Sequence, residues 1–215
     1  MSKLIYLVRH GQSQGNIEGR VQGLLDSPLS ERGQTEAHCL GQRLVAEIKV
    51  DLIFTSPLKR AQDTAQILAH YLDCPLKLDD DLREYNMGPI TGLTPPEIKA
   101  KYPARYLAFE RNEYPNFLPG EEGAVVFEQR VQQGFERVLT HLEDGQSAVV
   151  VSHSGTLNAC LRNWLDIKNL NQRPFAFGNA SVTVMAVNPR DKLLIRLNDT
   201  CHLAALKGLN GDNHA

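Results

Sequence analysis

The stretch that most limits what this chain can fold into is its opening, Leu4-Ile5-Tyr6-Leu7-Val8-Arg9-His10-Gly11. Leu4 to Val8 has the length and the β-branched, aromatic character of a buried strand. It stops at three residues that do not suit a core: Arg9, His10 and Gly11. In an open α/β sheet, ligands sit outside the carboxyl ends of the strands. An arginine and a histidine at that point therefore face a crevice. Gly11 has no Cβ, so a ligand or another stretch of backbone can come close. Ser13 and Asn16 add polar groups one turn further on.

The rest of the chain repeats the strand–turn–helix pattern. A polar loop over 17–27 precedes Ser30, an N-cap for a helix carrying Ala37, Leu40, Leu44 and Ile48 at helical spacing. Residues 51–55 read as a second strand. Ser56-Pro57 then opens a helix running to about Tyr71. This is α/β winding. Residues 75–82 read as a shorter extended segment. From 83 to 127 the pattern changes. Prolines and aromatics crowd together around one helical piece over 95–111, as in a cap rather than a structureless loop. A helix over 125–142 follows, and then the strand Ser147 to Val151. That strand ends in Ser152-His153-Ser154-Gly155, where another helix begins and runs to Leu165. Residues 182–187 and 193–197 close the pattern as a pair of strands. The expected organisation is one domain over 1–207, with a cap insertion at about 83–127 and a polar tail over 208–215.

Val151-Ser152-His153 repeats the logic of the opening. A buried strand ends, a histidine projects, and a helix starts. Two such strands side by side put two imidazoles in one crevice. The helix beginning at Ser154 adds free N–H groups and the positive end of its dipole, which suit an anion. Arg60, in Ser56-Pro57-Leu58-Lys59-Arg60-Ala61, starts a helix just past another strand end. With Arg9 it offers two guanidiniums for bidentate contact with phosphate oxygens. Two cationic forks and two histidines describe a phosphoryl site, because phosphoryl transfer needs positioning and charge stabilisation most of all. A neutral imidazole can serve as nucleophile. A leaving oxygen then needs a proton, and Glu84, at the edge of the cap, is the candidate donor.

Whole-chain properties narrow the partners. A net charge of −2 over 215 residues gives no reason to invoke nucleic acid or an anionic membrane. Cys39, Cys74, Cys160 and Cys201 show no zinc or C-x-x-C spacing, so packed, reduced thiols in a cytoplasmic protein are expected. No stretch is long enough to span a bilayer, and the early apolar run is too short for a signal peptide. The expected partner is a small phosphorylated metabolite. The oligomeric state is open, a homodimer included.

Five ordered blocks resemble the histidine phosphatase superfamily, in its phosphoglycerate mutase-like branch. They are Leu7-Val8-Arg9-His10-Gly11 with Ser13 and Asn16; residues 26–33; residues 55–65; Leu82-Arg83-Glu84; and Val151-Ser152-His153. The resemblance runs from Lys3 to about Leu203. It implies a three-layer α/β/α sandwich with a mostly parallel central sheet and no metal or other cofactor. His10 would be phosphorylated, with Arg9, Arg60 and His153 holding the phosphate. Glu84 would give a proton in the first half-reaction and activate water in the second. Asn16, Gln22 and Gly23 would line the phosphate side, and Asn179 and His202 resemble lesser positions near the pocket. The chain departs from the family pattern at Ser154, where glycine is usual; at Ile90-Thr91, where a Trp-Glu pair is common; and at Gly15, where tryptophan is frequent.

Each residue alone also has an ordinary explanation. A histidine after a strand is usually structural, an arginine on a helix is usually solvated, and an acid at a loop edge is usually exposed. It is their shared position at strand ends that favours chemistry. The expected function is a metal-independent phosphatase acting on a small phosphomonoester through a phosphohistidine. The alternatives are a phosphoglycerate-type mutase and a non-catalytic module that senses a phosphorylated ligand. A bisphosphate-dependent mutase of this family would carry paired cap arginines, whereas Arg105 and Arg111 stand apart. A sensing module would normally have lost His10, Arg60 or Glu84.

Overall fold

The computed structural model describes residues 2–111, 118–168, 173–188 and 191–207. The polar tail over 208–215, and Tyr114, Pro115 and Phe117 of the cap, lie outside the described residues. Six strands form one sheet: β1 (Lys3–Arg9), β2 (Leu52–Thr55), β3 (Leu76–Leu78), β4 (Ser147–Ser152), β5 (Val182–Val187) and β6 (Lys192–Asp199). Their order is β3-β2-β4-β1-β5-β6. The first four run parallel, and β5 and β6 are antiparallel to their neighbours. The sheet is thus mixed, with its parallel half carrying the strand ends of interest.

Burial alternates along each central strand, because successive side chains point to opposite faces. Ile5 and Leu7 of β1, with Ala148 and Val150 of β4, join one core cluster. Tyr6 and Val8, with Val149 and Val151, join a second on the opposite face. A sheet buried on both faces needs a helical layer on each. One layer is α2 (Glu31–Glu47) and α3 (Lys59–Leu72), which bring Leu40, Leu44, Ala61, Ala65 and Leu68 to the second cluster. The other is α6 (Ala124–Thr140) and α7 (Ser154–Trp164), which bring Phe127, Val131, Val138, Leu157 and Leu161 to the first. Three layers result, α/β/α. A single turn, α1 (Gln14–Ile17), follows β1. A short α8 (Ala204–Lys207) ends the described chain.

The segment between β3 and α6 carries two 3₁₀ turns, Asp80–Leu82 and Gly88–Ile90, and two helices, α4 (Pro95–Lys101) and α5 (Pro103–Glu110). A single helix was expected over 95–111. It breaks at Tyr102, which takes ψ 64°. Pro103 is the cause, since a residue before proline is driven out of the helical region. No helix among the described residues is long and apolar enough to cross a membrane.

Candidate active site

Strand register assembles the site. Arg9 of β1 lies opposite Ser152 of β4, and Thr55 of β2 lies opposite Val151. Three strands therefore end level. His10, Ser56 and His153 follow those ends, with His10 N–H donating to Ser152 O at 3.0 Å and Ser56 N–H to Val151 O at 3.1 Å. The two imidazole centroids are 5.2 Å apart.

The close approach that Gly11 permits is to backbone. A Cβ there would sit 2.4 Å from Gly33 O, and one on Gly33 would sit 1.9 Å from Gln12 O. The turn after β1 is thus locked onto the start of α2. The Ser30 hydroxyl caps that helix, accepting from Gly33 N–H at 3.0 Å.

The His10 ring is held in one tautomer. Its Nδ1 lies 2.7 Å from Gly11 O, a carbonyl that can only accept, so Nδ1 carries the proton. Nε2 is left with its lone pair, receiving only Arg60 Nε–H at 3.2 Å. Arg60 is buried and braced by the loop after α1. Its Nη1 donates to Leu25 O at 2.7 Å and its Nη2 to Gly23 O at 2.9 Å. Arg9 donates to Phe177 O, while its Nε is buried without a partner. His153 is fully buried. Its Nε2 meets Ser56 Oγ at 2.8 Å and its Nδ1 has no partner. Unpaired buried polar groups are costly, so two of them at one strand-end crevice point to a ligand that completes the set.

Glu84 stands opposite this group. Its carboxylate accepts from Gly155 N–H at the start of α7 and from Tyr85 N–H, both at 2.9 Å. The loop carrying it is pinned from two sides. Ser152 Oγ donates to Leu82 O at 2.7 Å and Thr156 Oγ1 to Arg83 O at 2.8 Å. From α6, Arg130 donates to Asp81 O, Arg83 O and Glu84 O at 2.9, 3.0 and 3.3 Å, and is itself paired with Glu122 at 2.6 Å.

A cavity of about 240 Å³ joins these groups. Of the residues expected from sequence, Arg9, His10, Asn16, Gln22, Gly23, Arg60, Glu84 and Ser154 line it. His153 is fully buried and not among the lining residues; its ring packs against His10. Asn179 does not line it; its amide donates to His10 O at 3.1 Å and to Asn16 Oδ1 at 3.3 Å, bracing the turn from behind. His202 does not line it either: it faces Ala180 O at 3.1 Å and Arg43 at 3.3 Å, where the end of β6 packs toward α2. Neither cap arginine lines the cavity. Arg105 is buried in a 2.8 Å pair with Glu121, and Arg111 is exposed at the end of α5. The sequence reading gave no role to Ser56, Arg130 or Arg173. Ser56 sits in a block that was noticed for Arg60. The other two come from elements distant along the chain. A larger cleft of about 640 Å³ lies between α6 and α7 and contains none of these residues.

Electrostatics fixes the protonation of the two histidines. Burial, then the charges of Arg60 and Arg9, push the His10 imidazolium well below its usual range. For His153 burial again comes first, then Arg60, His10 and Arg9. Burial also lowers Arg9 and Arg60 to about 10, so both stay cationic at neutral pH. Both imidazoles are thus neutral in the folded chain, whereas unfolded they take protons below about pH 6.5. Stability should therefore fall as pH falls through that value, by up to about 1.4 kcal/mol per pH unit for each histidine. Thermal melts of the ligand-free protein from about pH 7.5 to about 5.5 test this. A smaller slope is expected in His153→Gln; identical slopes would refute the account.

Comparison with known proteins places the chain in a family. The family model of the histidine phosphatase superfamily (branch 1) matches residues 5–200. The chain is 37% identical over 204 residues to phosphoserine phosphatase 1 of Hydrogenobacter thermophilus, covering 94% of this chain and 95% of that one. It is 31% identical to the metal-independent phosphoserine phosphatase of Arabidopsis thaliana, covering 97% and 88%. A solved mycobacterial glucosyl-3-phosphoglycerate phosphatase superposes with a TM-score of 0.80 at 30% identity, covering 91% and 98%. Mutase-named relatives match too, over about three quarters of the chain. The chain belongs to the histidine phosphatase superfamily. Within it, this is a phosphatase of small phosphomonoesters.

Proposed function

We propose that hydrolysis runs through His10 Nε2 and Glu84. The observation that carries this reading is the fixed tautomer of His10, which leaves a neutral nucleophilic nitrogen beside Arg60, in a cavity that Arg9, with its unpaired Nε, also lines. In the first step the Nε2 lone pair forms a bond to phosphorus as the bond to the ester oxygen breaks. Glu84, protonated, gives its proton to the departing alkoxide. The phosphorylated ring keeps its Nδ1 proton and gains positive charge, which Gly11 O stabilises as hydrogen-bond acceptor. Arg9, Arg60 and His153 hold the phosphoryl oxygens, where charge develops. In the second step Glu84, now a carboxylate, takes a proton from water. The water oxygen attacks phosphorus, the P–N bond breaks, and phosphate and neutral His10 result.

The small cavity favours a compact leaving group; drug-sized ligands occupy about 300 Å³ or more. The relatives named for phosphoserine are consistent with that size. The Arg105–Glu121 pair supports hydrolysis over mutase chemistry, since it removes the cap's buried arginine from the binding of a second phosphate. The same reading places the enzyme in the cytoplasm. Four unpaired cysteines, one of them buried, support this.

Among the described residues, no three His, Cys, Asp or Glu side chains gather as a metal site. Phosphate release should therefore survive exhaustive chelation. The test follows inorganic phosphate and rearranged phosphoesters together over a metabolite panel, with and without chelator. Activity restored only by added magnesium, or isomers outnumbering phosphate, would overturn the reading.

A further inference from the structure

Away from the active site, the cleft of about 640 Å³ between α6 and α7 has an unfinished polar set of its own. Glu128 of α6 and Arg162 of α7 line it as a buried ion pair, made through Glu128 Oε1. The other carboxylate oxygen, Oε2, is buried with no hydrogen-bond partner. Trp164 also lines the cleft; it is 6% exposed, and its indole Nε1 is buried without a partner. A carboxylate oxygen can only accept and an indole N–H can only donate. Leaving both unpaired costs stability, as it does at the strand ends. Lys192 Nζ stands 5.1 Å from the centroid of the same indole ring. Phe135 meets that ring edge-on at 5.8 Å, and Leu139, Ile167 and Val187 add apolar lining. The lining charges balance, with Glu128, Glu136 and Asp166 against Arg162, Lys168 and Lys192. A phosphorylated substrate therefore finds no excess positive charge here, whereas a molecule of no net charge is matched.

The two helices that wall the cleft are also the two that hold Glu84. Arg130, on α6 with Glu128, donates to Arg83 O and Glu84 O. At the start of α7, Gly155 N–H donates to the Glu84 carboxylate and Thr156 Oγ1 to Arg83 O. We infer that the cleft binds a small zwitterion with an apolar body, the chemistry of a free apolar amino acid, and that the bound ligand slows the step that needs Glu84. The ammonium end meets Glu128 Oε2. The carboxylate end meets Trp164 N–H, beside Lys192, and the side chain lies against Phe135 and Leu139. Both unpaired atoms are closed to water, so the two ends engage fully only when α6 and α7 part slightly. The ligand thus binds the parted arrangement better, and that difference in affinity shifts the population. Parting moves Arg130 relative to Gly155, so the carboxyl group that both helices hold loses its setting. The binding half of the inference is independent of the catalytic reading above; the regulatory half rests on Glu84 as proton donor.

Trp164 is the chain's one tryptophan, so its fluorescence reports on the cleft directly. Titrating L-leucine or L-phenylalanine into the protein should shift the emission and saturate, with matching heat in calorimetry. Vanadate in the active site should not abolish that binding. Removing one charged end, in leucinamide or in N-acetyl-leucine, should weaken it about tenfold or more. Trp164→Phe keeps an aromatic ring and deletes the N–H. Calorimetry should show leucine binding about tenfold weaker in that variant, with activity in the absence of leucine retained. Gln132→Trp, at an exposed lining position of α6, blocks the cleft without touching the buried groups and should abolish leucine binding. Saturating leucine should slow phosphorylation of His10 by an alkyl phosphate about fivefold or more, and hardly slow it with an aryl phosphate. Four results would overturn the inference: no saturable binding of either amino acid, equal binding of the one-ended analogues, binding unchanged in both variants, or alkyl and aryl phosphorylation that leucine leaves unchanged or slows equally. Failure of the underlying chemistry looks different. No ester would then label His10, and the regulatory half would fall, while the fluorescence titration would still decide the binding half.

Discussion

His10→Ala is expected to lose at least about 10⁴-fold in kcat toward every phosphomonoester. It should also yield no phosphoenzyme. The alanine removes the atom that bonds phosphorus, and the remaining groups can only bind. Arg9, Arg60 and His153 stay in place, each held by other contacts besides the 3.2 Å hydrogen bond from Arg60 to His10 and the packing of the His153 ring on the His10 ring. Phosphate or vanadate binding should therefore persist in the variant and raise its melting temperature. Mixing the parent enzyme with labelled substrate and quenching in alkali preserves a phosphohistidine for mapping. The label is expected on His10 alone. A label on His153, whose ring lies 5.2 Å away, would reverse the roles of the two imidazoles. The tautomer argues against that reversal, because His153 Nε2 already faces Ser56 Oγ at 2.8 Å.

How much of this site a sequence can show depends on how local each group's partners are. His10, Arg60 and His153 sit within a few residues of strand ends, and strand ends are legible from short apolar runs. That the ends are level follows from β1 and β2 both flanking β4, and α/β winding makes that arrangement natural. Other features depend on partners far along the chain. Arg130 reaches the Glu84 loop across 46 residues, and nothing near it in sequence marks an arginine that holds backbone carbonyls. Arg173 lines the cavity from residues 173–181, which form no helix or strand. Asn179 and His202 were placed together near the pocket, yet only Asn179 touches the turn after β1. Whether the His202 ring faces the crevice or α2 depends on where Arg43 and Asp199 draw the chain, at 2.8 Å from each other. The break at Tyr102 was readable, since Pro103 marks it. The helical spacing on either side masked it.

The largest separation of effects is expected from Glu84→Gln. The amide keeps the size of the carboxyl group, and its single oxygen can still accept from one of the two N–H groups, Gly155 or Tyr85; the loop carbonyls that Arg130 and Thr156 hold are unaltered, so the loop should stay in place. It can neither give nor take the proton the reaction moves. An alkyl phosphate has a poor leaving alkoxide, and general acid help there is worth about 10²- to 10⁴-fold. Phosphorylation of His10 by such an ester should slow by that factor. An aryl phosphate leaves as a stable phenolate and should phosphorylate His10 almost as fast as in the parent. Breakdown of the phosphohistidine is common to both substrates and needs Glu84 as base, so it should slow in both cases. With aryl phosphate the second step then limits turnover, and the first turnover releases a stoichiometric burst of phenol. Stopped-flow absorbance reads that burst, and quench experiments read the accumulated phosphoenzyme. The burst should be sharper in the variant than in the parent. Equal losses with aryl and alkyl esters, without a burst, would make Glu84 a structural residue. Glu121 could not replace it in that case, because its carboxylate is buried against Arg105 at 2.8 Å, away from the cavity lining.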